Sequence, residues 1–343
     1  MMYCDYNATA PMHEDVIIAV VEAMRQSWAN SFSPHSLGRK ASVQVEEARQ
    51  SVADLVGVEA RKVRFTSGAT EANSWVLRAF QSRGPIYTSA VEHPSVLSYA
   101  NRLIPTDHNG IILLDALENM LHEQVPALVS VMAANNETGV IQPVEEISRL
   151  LTQYKVPFHC DATQIYSKIH MSIPADFITL SAHKFGGPKG VGALVVQSEV
   201  EPLFLGGPQE RTSRAGTHNV PGIVGMGVAA RSLSVQDTKK RKILEETIEK
   251  LGGRILGRDA QRLPNTICAL FPLPGDLIVM ALDLQGVQAS TGSACSSGAS
   301  KQSHVLEAMG EKGTPVRFSL GEGTDVDGVC RVLTTVIASI GDI

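Results

Sequence analysis

The stretch DFITLSAHKFGGPKG, residues 176–190, decides how the rest of the chain is read. DFITL suits a short buried strand that ends in polar residues. SAHK then falls at or just past the strand's C-terminal edge, where open α/β sheets place their ligands. The glycines and proline that follow suit a tight turn with close backbone approach. A lysine between a histidine and such a turn, Lys184, can form a Schiff base if desolvation or a cationic neighbour depresses its pKa. Taken alone it reads first as a surface lysine in a turn and only second as a Schiff-base lysine, so its weight depends on what else the chain holds.

Some twenty residues earlier, VPFHCDATQ (156–164) reads as another apolar strand, which ends in Asp161 and runs on to Gln164. A carboxylate at a strand's C-terminal edge near a Schiff-base lysine is what a pyridoxal phosphate site requires. It keeps the pyridine nitrogen protonated, so that the ring draws electrons from a substrate carbanion. Together the two strings resemble the class V aminotransferases of the type I pyridoxal phosphate fold and, within them, the cysteine desulfurases of the NifS/IscS-like group.

The bulk composition agrees with an ordinary globular chain. Its 343 residues allow about two domains. A net charge of −5 argues against a general nucleic-acid binder. KKRK at 239–242 is followed at once by acidic residues and reads as a solvated helix face. The N-terminus lacks an apolar h-region, and VIIAVV (16–21) is far too short to span a bilayer. Five cysteines without paired spacing, and no C-x-x-C, fit a reducing, cytoplasmic setting better than a disulfide or zinc framework. No metal site is expected.

Alternating patterns give the architecture. Helical periodicity at 13–28 and 42–57 precedes strands at KVRFTSG, PIYTSA, ALVSVMAA, VPFHC, DFITL and GVGALVVQ, with helices TEANSWVLRAF, PSVLSYANRL and PVEEISRLLTQY between them. The alternation predicts a mostly parallel sheet covered on both faces. From about residue 237 a charged helix, the strands NTICALF and PVRFSL, the helix GDLIVMALDLQ and a last helix from about 325 predict a smaller α+β unit. The expected division is a large domain over 13–236, and a small one made of 1–12 and 237–343.

Several strings can carry chemistry. FTSGATEAN (65–73) reads as strand, glycine turn and helix start, which offers free N–H groups to an anion at Thr70, or is an ordinary cap. His93 in VEHPSV has a side chain suited to relaying protons, although a lone histidine there is usually a turn residue. STGSACSSGAS (290–300) is almost wholly small residues, so it predicts an exposed loop. Cys295 in that loop is a candidate nucleophile. Cys160, Cys268 and Cys330 sit in apolar contexts, and Cys4 is undecided. In PVRFSLG, Arg317 and Ser319 alternate with Val316, Phe318 and Leu320. An arginine there can clamp a carboxylate in bidentate fashion or form a surface ion pair.

The resemblance assigns further roles. It implies that Lys184 carries the cofactor and Asp161 sustains its ring. Ala69, Thr70, Ser181 and His183 bind the phosphate, Gln164 bonds the ring hydroxyl, and His93 stacks on the ring. Asn136 lies near the cofactor oxygen and substrate carboxylate, and Arg317 clamps that carboxylate. Thr217, in GGPQERTSRAGTHNV (206–220), reaches the neighbouring subunit's phosphate, which implies a homodimer. Cys295 takes sulfur from L-cysteine as a persulfide and passes it to an acceptor protein, for iron–sulfur cluster assembly, tRNA thiolation or DNA phosphorothioation. Rivals on the same fold are a selenocysteine lyase and a small amino acid transaminase; a non-catalytic sulfur-relay partner is the rival from another class.

The resemblance runs in order from YNATAP to RFSLG, with four departures. The tail that helps housekeeping members dock an iron–sulfur scaffold protein is missing after ASIGDI. The segment between about 231 and 265 is short. SAHK stands for SGHK, and ATAP for ATTP.

Overall fold

A computed structural model describes residues 2–233, 238–292 and 302–341. The apolar strands assemble into one seven-stranded sheet: β1 (Val63–Thr66), β2 (Ile86–Ser89), β3 (Arg102–Ile104), β4 (Leu128–Ser130), β5 (Phe158–Asp161), β6 (Phe177–Ser181) and β7 (Gly192–Val196). Their order is β1-β7-β6-β5-β4-β2-β3. Only β7 runs against its neighbours, pairing antiparallel with β1 and β6; the other contacts are parallel. The central strands β4, β5 and β6 are buried at every residue, as parallel strands covered on both faces must be.

Helices α1 (Glu14–Gln26), α2 (Ser36–Val56), α3 (Ala69–Gln81), α4 (Pro94–Leu97), α5 (Leu114–Glu123), α6 (Val144–Tyr154) and α7 (Val220–Arg231) cover the sheet. The largest core runs through α2, α6, α7 and the sheet, and a second packs α3 against it through Trp75, Leu77 and Phe80.

A second sheet of β8 (Arg254–Ile255), β9 (Thr266–Leu270) and β10 (Val316–Ser319), in order β10-β9-β8, is antiparallel throughout. It carries helices α8 (Lys239–Lys250), α9 (Gly275–Leu284), α10 (His304–Ala308) and α11 (Val326–Gly341). Its own core includes Leu244, Ile267, Ile278, Phe318 and Leu333. The N-terminal residues join this sheet, with Tyr3 bridging Gln288 and Asp5 bridging Ser319. No helix among the described residues is long and apolar enough to cross a membrane.

One expectation is overturned. PSVLSYANRL is a helix for a single turn only, Pro94–Leu97, and its end is the edge strand β3. Asn101 is the cause: its Oδ1 accepts from the Ile86 amide at 2.8 Å while its own N–H donates to the Ile86 carbonyl at 2.9 Å. That pair pulls the chain out of the helix and lays it beside β2.

Candidate active site

Six strands of the large sheet point the same way, and the residues that leave their C-terminal ends converge there. β6 delivers Ser181 and turns through a single 3-10 turn, Ala182–Lys184. The Lys184 Nζ donates to the backbone carbonyls of Asn7 (2.6 Å) and Ala8 (2.9 Å). β5 ends in Asp161, whose Oδ2 accepts from Asn73 Nδ2 at 2.8 Å and whose Oδ1 accepts from the Thr163 amide at 3.0 Å. Two N–H donors from different elements thus fix the direction of that carboxylate.

β1 runs through Gly68 into α3, and no side chain caps this helix. Gly68 has a φ of 155°, a conformation that favours glycine, and an added Cβ would face Ser181 Oγ at 3.8 Å. A Cβ on Gly192 would meet the Leu180 carbonyl at 2.6 Å and Gly68 Cα at 2.7 Å. Only glycine lets the start of β7 press this close beneath the turn. The first-turn N–H groups of α3, with Ala69 and Thr70, therefore open onto a cleft. Glu71 is held aside: it accepts from the Ser67 amide and pairs with Arg214, and these contacts lower its pKa against the opposing effect of burial.

The cleft has a volume of about 950 Å³, and ten of the expected site residues line it: Ala69, Thr70, His93, Asn136, Asp161, Gln164, Ser181, His183, Lys184 and Arg317. Thr217 is exposed and does not reach it. Cys295 lies outside the described residues.

Two histidines of the cleft, His183 and His93, are held neutral. Burial, with the charges of Lys184 and Lys189, brings His183 down to about 4. Burial also lowers His93, and its Nδ1 accepts from the Ser95 amide at 3.1 Å. The neutral ring therefore carries its proton on Nε2.

The sequence reading missed several residues. Asn73 Nδ2 donates both to Asp161 and to Ser95 Oγ (3.0 Å), and Ser95 Oγ lies 2.8 Å from His93 Nδ1. His93 and Asp161 are thereby linked through one amide. Glu92, fully buried, is pushed up to about 8, and its Oε1 accepts from Met132 N and Ser89 Oγ. Asp5 Oδ1 accepts from Arg317 Nη2 at 2.5 Å.

Arg317 itself is 2% exposed, so the alternation in PVRFSLG separates two buried faces and not a buried from a wet one. Its Nη1 donates to the carbonyls of Asn136 and Gly292, both at 3.0 Å. Its Nε is buried without a partner.

These residues fit pyridoxal phosphate. The uncapped α3 N-terminus beside Ser181 suits a phosphate, and the missing Cβ of Gly68 leaves room for it. The Thr163 hydroxyl lines the cleft, buried and without a partner, so it has bonding capacity to offer a ligand. A lysine and an oriented carboxylate complete the donor set.

The family model for class-V aminotransferases matches residues 2–332. The chain belongs to the class-V aminotransferase family. Enzymes of this class depend on pyridoxal phosphate, and the seven-stranded sheet is that of their type I fold. A cysteine desulfurase IscS of Dictyoglomus turgidum is 36% identical over 376 residues, which cover 99% of this chain and 95% of that one. A solved NifS-like protein superposes with a TM-score of 0.90 at 33% identity, over the full length of both chains. A structure described as SspA in complex with cysteine gives 0.84 at 30% identity, covering 93% of this chain and 99% of that one.

Proposed function

We propose that this chain is a pyridoxal phosphate-dependent cysteine desulfurase that converts L-cysteine to L-alanine and retains the sulfur as a persulfide on Cys295. The observation that carries it is the meeting of Lys184, the oriented Asp161, the uncapped α3 N-terminus and Arg317 in one cleft. Cysteine desulfurase relatives matched end to end give the reaction class, and the cysteine-bound neighbour supports the substrate.

When bound, the cofactor supplies an electron sink for the charge left as the substrate's α-proton departs. Lys184 would hold it covalently, and the oriented Asp161 carboxylate would keep its ring nitrogen protonated. Ala69, Thr70, Ser181 and His183, which line the cleft, would hold the phosphate, and Gln164 would donate to the ring oxygen. His93, neutral and with its proton on Nε2, would be equipped to move a proton within the cleft. Arg317 and Asn136 take the substrate carboxylate, for which the unpartnered Nε is already present. The carboxylate then shares the guanidinium with Asp5.

The sulfur step uses the protein's own thiol. The Cys295 thiolate attacks the sulfur of L-cysteine, an S–S bond forms as the Cβ–S bond breaks, and the electron pair left on carbon takes a proton to give alanine. The four described cysteines are unsuited to this. Burial raises the pKa of each thiol, Cys4 to about 12, and none lines the cleft. An acceptor protein then takes the sulfur. The active unit is a cytoplasmic homodimer in which Thr217 completes the partner's phosphate site, with a large unit over 13–236 and a small one over 1–12 and 237–343.

The test is turnover of L-cysteine by the cofactor-loaded protein, with alanine quantified and the Cys295 peptide weighed for one added sulfur. Cys295→Ser should keep the cofactor's visible absorption while alanine production falls by orders of magnitude, because a hydroxyl is a far poorer nucleophile than a thiolate. Near wild-type alanine from that variant would transfer the reading to a transaminase or lyase.

A further inference from the structure

Lys168 lies seven residues beyond Asp161, in the irregular run between β5 and β6. It is 2% exposed, and no carboxylate pairs with it among the described residues. Its Nζ donates to Gln164 Oε1 at 2.9 Å and to Ser167 Oγ at 3.2 Å. Burial, then the charges of Lys184 and Arg317, brings it down to about 7. A buried amine is costly to hold, and an apolar side chain of similar volume would pack there without that cost.

Its position relative to Gln164 supplies a use. The Lys168 ammonium only donates and a backbone carbonyl only accepts, so the Gln164 amide is bracketed: Oε1 faces Lys168, and Nε2 donates to the Asn7 carbonyl at 3.0 Å. The orientation of the amide follows from the chemistry of both neighbours. One N–H of Nε2 is left over, and Gln164 lines the cleft. The same Asn7 carbonyl accepts from Lys184.

We propose that Lys168 is a positioning residue of the cofactor site, locking the Gln164 amide so that an N–H, and not the carbonyl, is offered to the cofactor's ring oxygen. The inference rests on the pyridoxal phosphate reading above. Without Lys168, Oε1 becomes a buried acceptor with no donor. Its relief is rotation of the amide, which gives up both the Asn7 bond and the N–H directed at the cleft.

The readout is the pH titration of the cofactor's visible band, which follows the proton shared between the Lys184 nitrogen and the ring oxygen. An N–H donated to that oxygen makes it a poorer partner for the proton, so losing the donor moves the midpoint up. Lys168→Met should raise it by about one pH unit, the equivalent of one hydrogen bond. Gln164→Leu, which leaves the charge of Lys168 in place, should raise it by about that one bond, and the double variant should shift by less than the sum of the two singles, because the hydrogen-bond part of both acts through one amide. The other ionisable groups facing the two lysines are unchanged: Asp161, Glu71, Glu137, His93, His183, His304, Lys189 and Arg317 at the cleft, and Tyr6, His13 and Glu322 on a second cavity of about 460 Å³ that both lysines line. If Lys168→Met alone does not fold, adding Gln164→Leu should restore the fold, since the stranded acceptor leaves with its donor.

An unmoved midpoint, an additive double variant or a double variant that stays unfolded overturns the proposal. A wild-type protein with no visible band, or one whose band survives Lys184→Ala as a covalent linkage, would instead remove the cofactor reading on which it rests.

Discussion

Glu210 is the anchor of the segment that carries Thr217, and removing its charge should cost far more than a surface substitution. The residue is 3% exposed. Its carboxylate accepts Arg49 in a two-pronged pair at 2.7 and 3.0 Å, His218 Nε2 at 2.8 Å and the Phe65 amide at 2.8 Å. Burial pushes its pKa up, yet the bonds from His218 and Arg49 overcome this and hold it at about 2, against an ordinary 4.5. That depression is a stability contribution of about 3 kcal/mol. Because the folded value is the lower one, the contribution is fully present above about pH 4.5 and is lost as the pH falls through about 2.

Glu210→Gln should therefore destabilise the protein by about 3 kcal/mol at pH 7, since Arg49, itself 3% exposed, is left with only the half-exposed Glu46 at 3.1 Å to offset its buried charge. Arg49→Met/Glu210→Gln should recover a large part of that loss. The assay is urea denaturation followed by circular dichroism, with all four members of the cycle at pH 7 and pH 5. Glu210, Arg211 and Thr212 sit at φ values of 45°, 58° and 67°, a run of left-handed conformations that persists only where the surroundings hold it. Releasing the anchor lets that run relax and displaces Thr217, so activity should fall beyond what the unfolded fraction explains. A single variant that costs under about 1 kcal/mol, or a double variant no better than the single, would refute the reasoning.

Borohydride reduction of the cofactor-loaded protein followed by peptide mapping should label Lys184, and Lys184→Ala should abolish the label; a mark on another lysine sinks the assignment. Mixing Thr217→Ala with Lys184→Ala subunits should restore activity, because both defects fall in one site of each heterodimer and leave the other intact; full activity in a stable monomer would exclude a shared site. Arg317→Lys should keep the visible band but raise KM for L-cysteine by about 10- to 100-fold, the loss of one charged hydrogen bond, because an ammonium cannot reproduce the planar fork. An unchanged KM would remove Arg317 from substrate binding.

The sheet was legible because each buried strand is a short apolar run closed by polar or small residues, and β5 and β6 end on the residues that matter. Lys184 and Asp161 were visible for the same reason, each standing where apolar sequence stops. Three kinds of feature were not visible. β3 is set by Asn101 clasping the backbone of Ile86, a pairing between residues fifteen apart that no local pattern encodes. The helix α5 has a buried apolar stripe of only Leu117, Met120 and Leu121, too short to stand out from its polar neighbours as helical periodicity. Asn73 looks like any polar residue in the first turns of a helix; its two bonds, to Ser95 and Asp161, come from elements brought together only by the fold.

The N-terminal strap shows most plainly why side-chain motifs leave part of a site unread. Asp5 holds Arg317 on the small sheet, and two residues later the carbonyls of Asn7 and Ala8 receive Lys184 on the large one. The Asn7 amide donates to Ser319 Oγ at 2.9 Å, and the Ala10 amide to the His183 carbonyl at 2.9 Å. A few residues of irregular chain thus fix the carboxylate clamp and the Schiff-base lysine relative to one another. Much of that work is done by backbone groups, which every residue but proline possesses equally. The sequence YCDYNATAP can announce the aspartate, but a peptide carbonyl has no letter. The lysine's resting partners were therefore invisible until the strap was seen to cross from one sheet to the other.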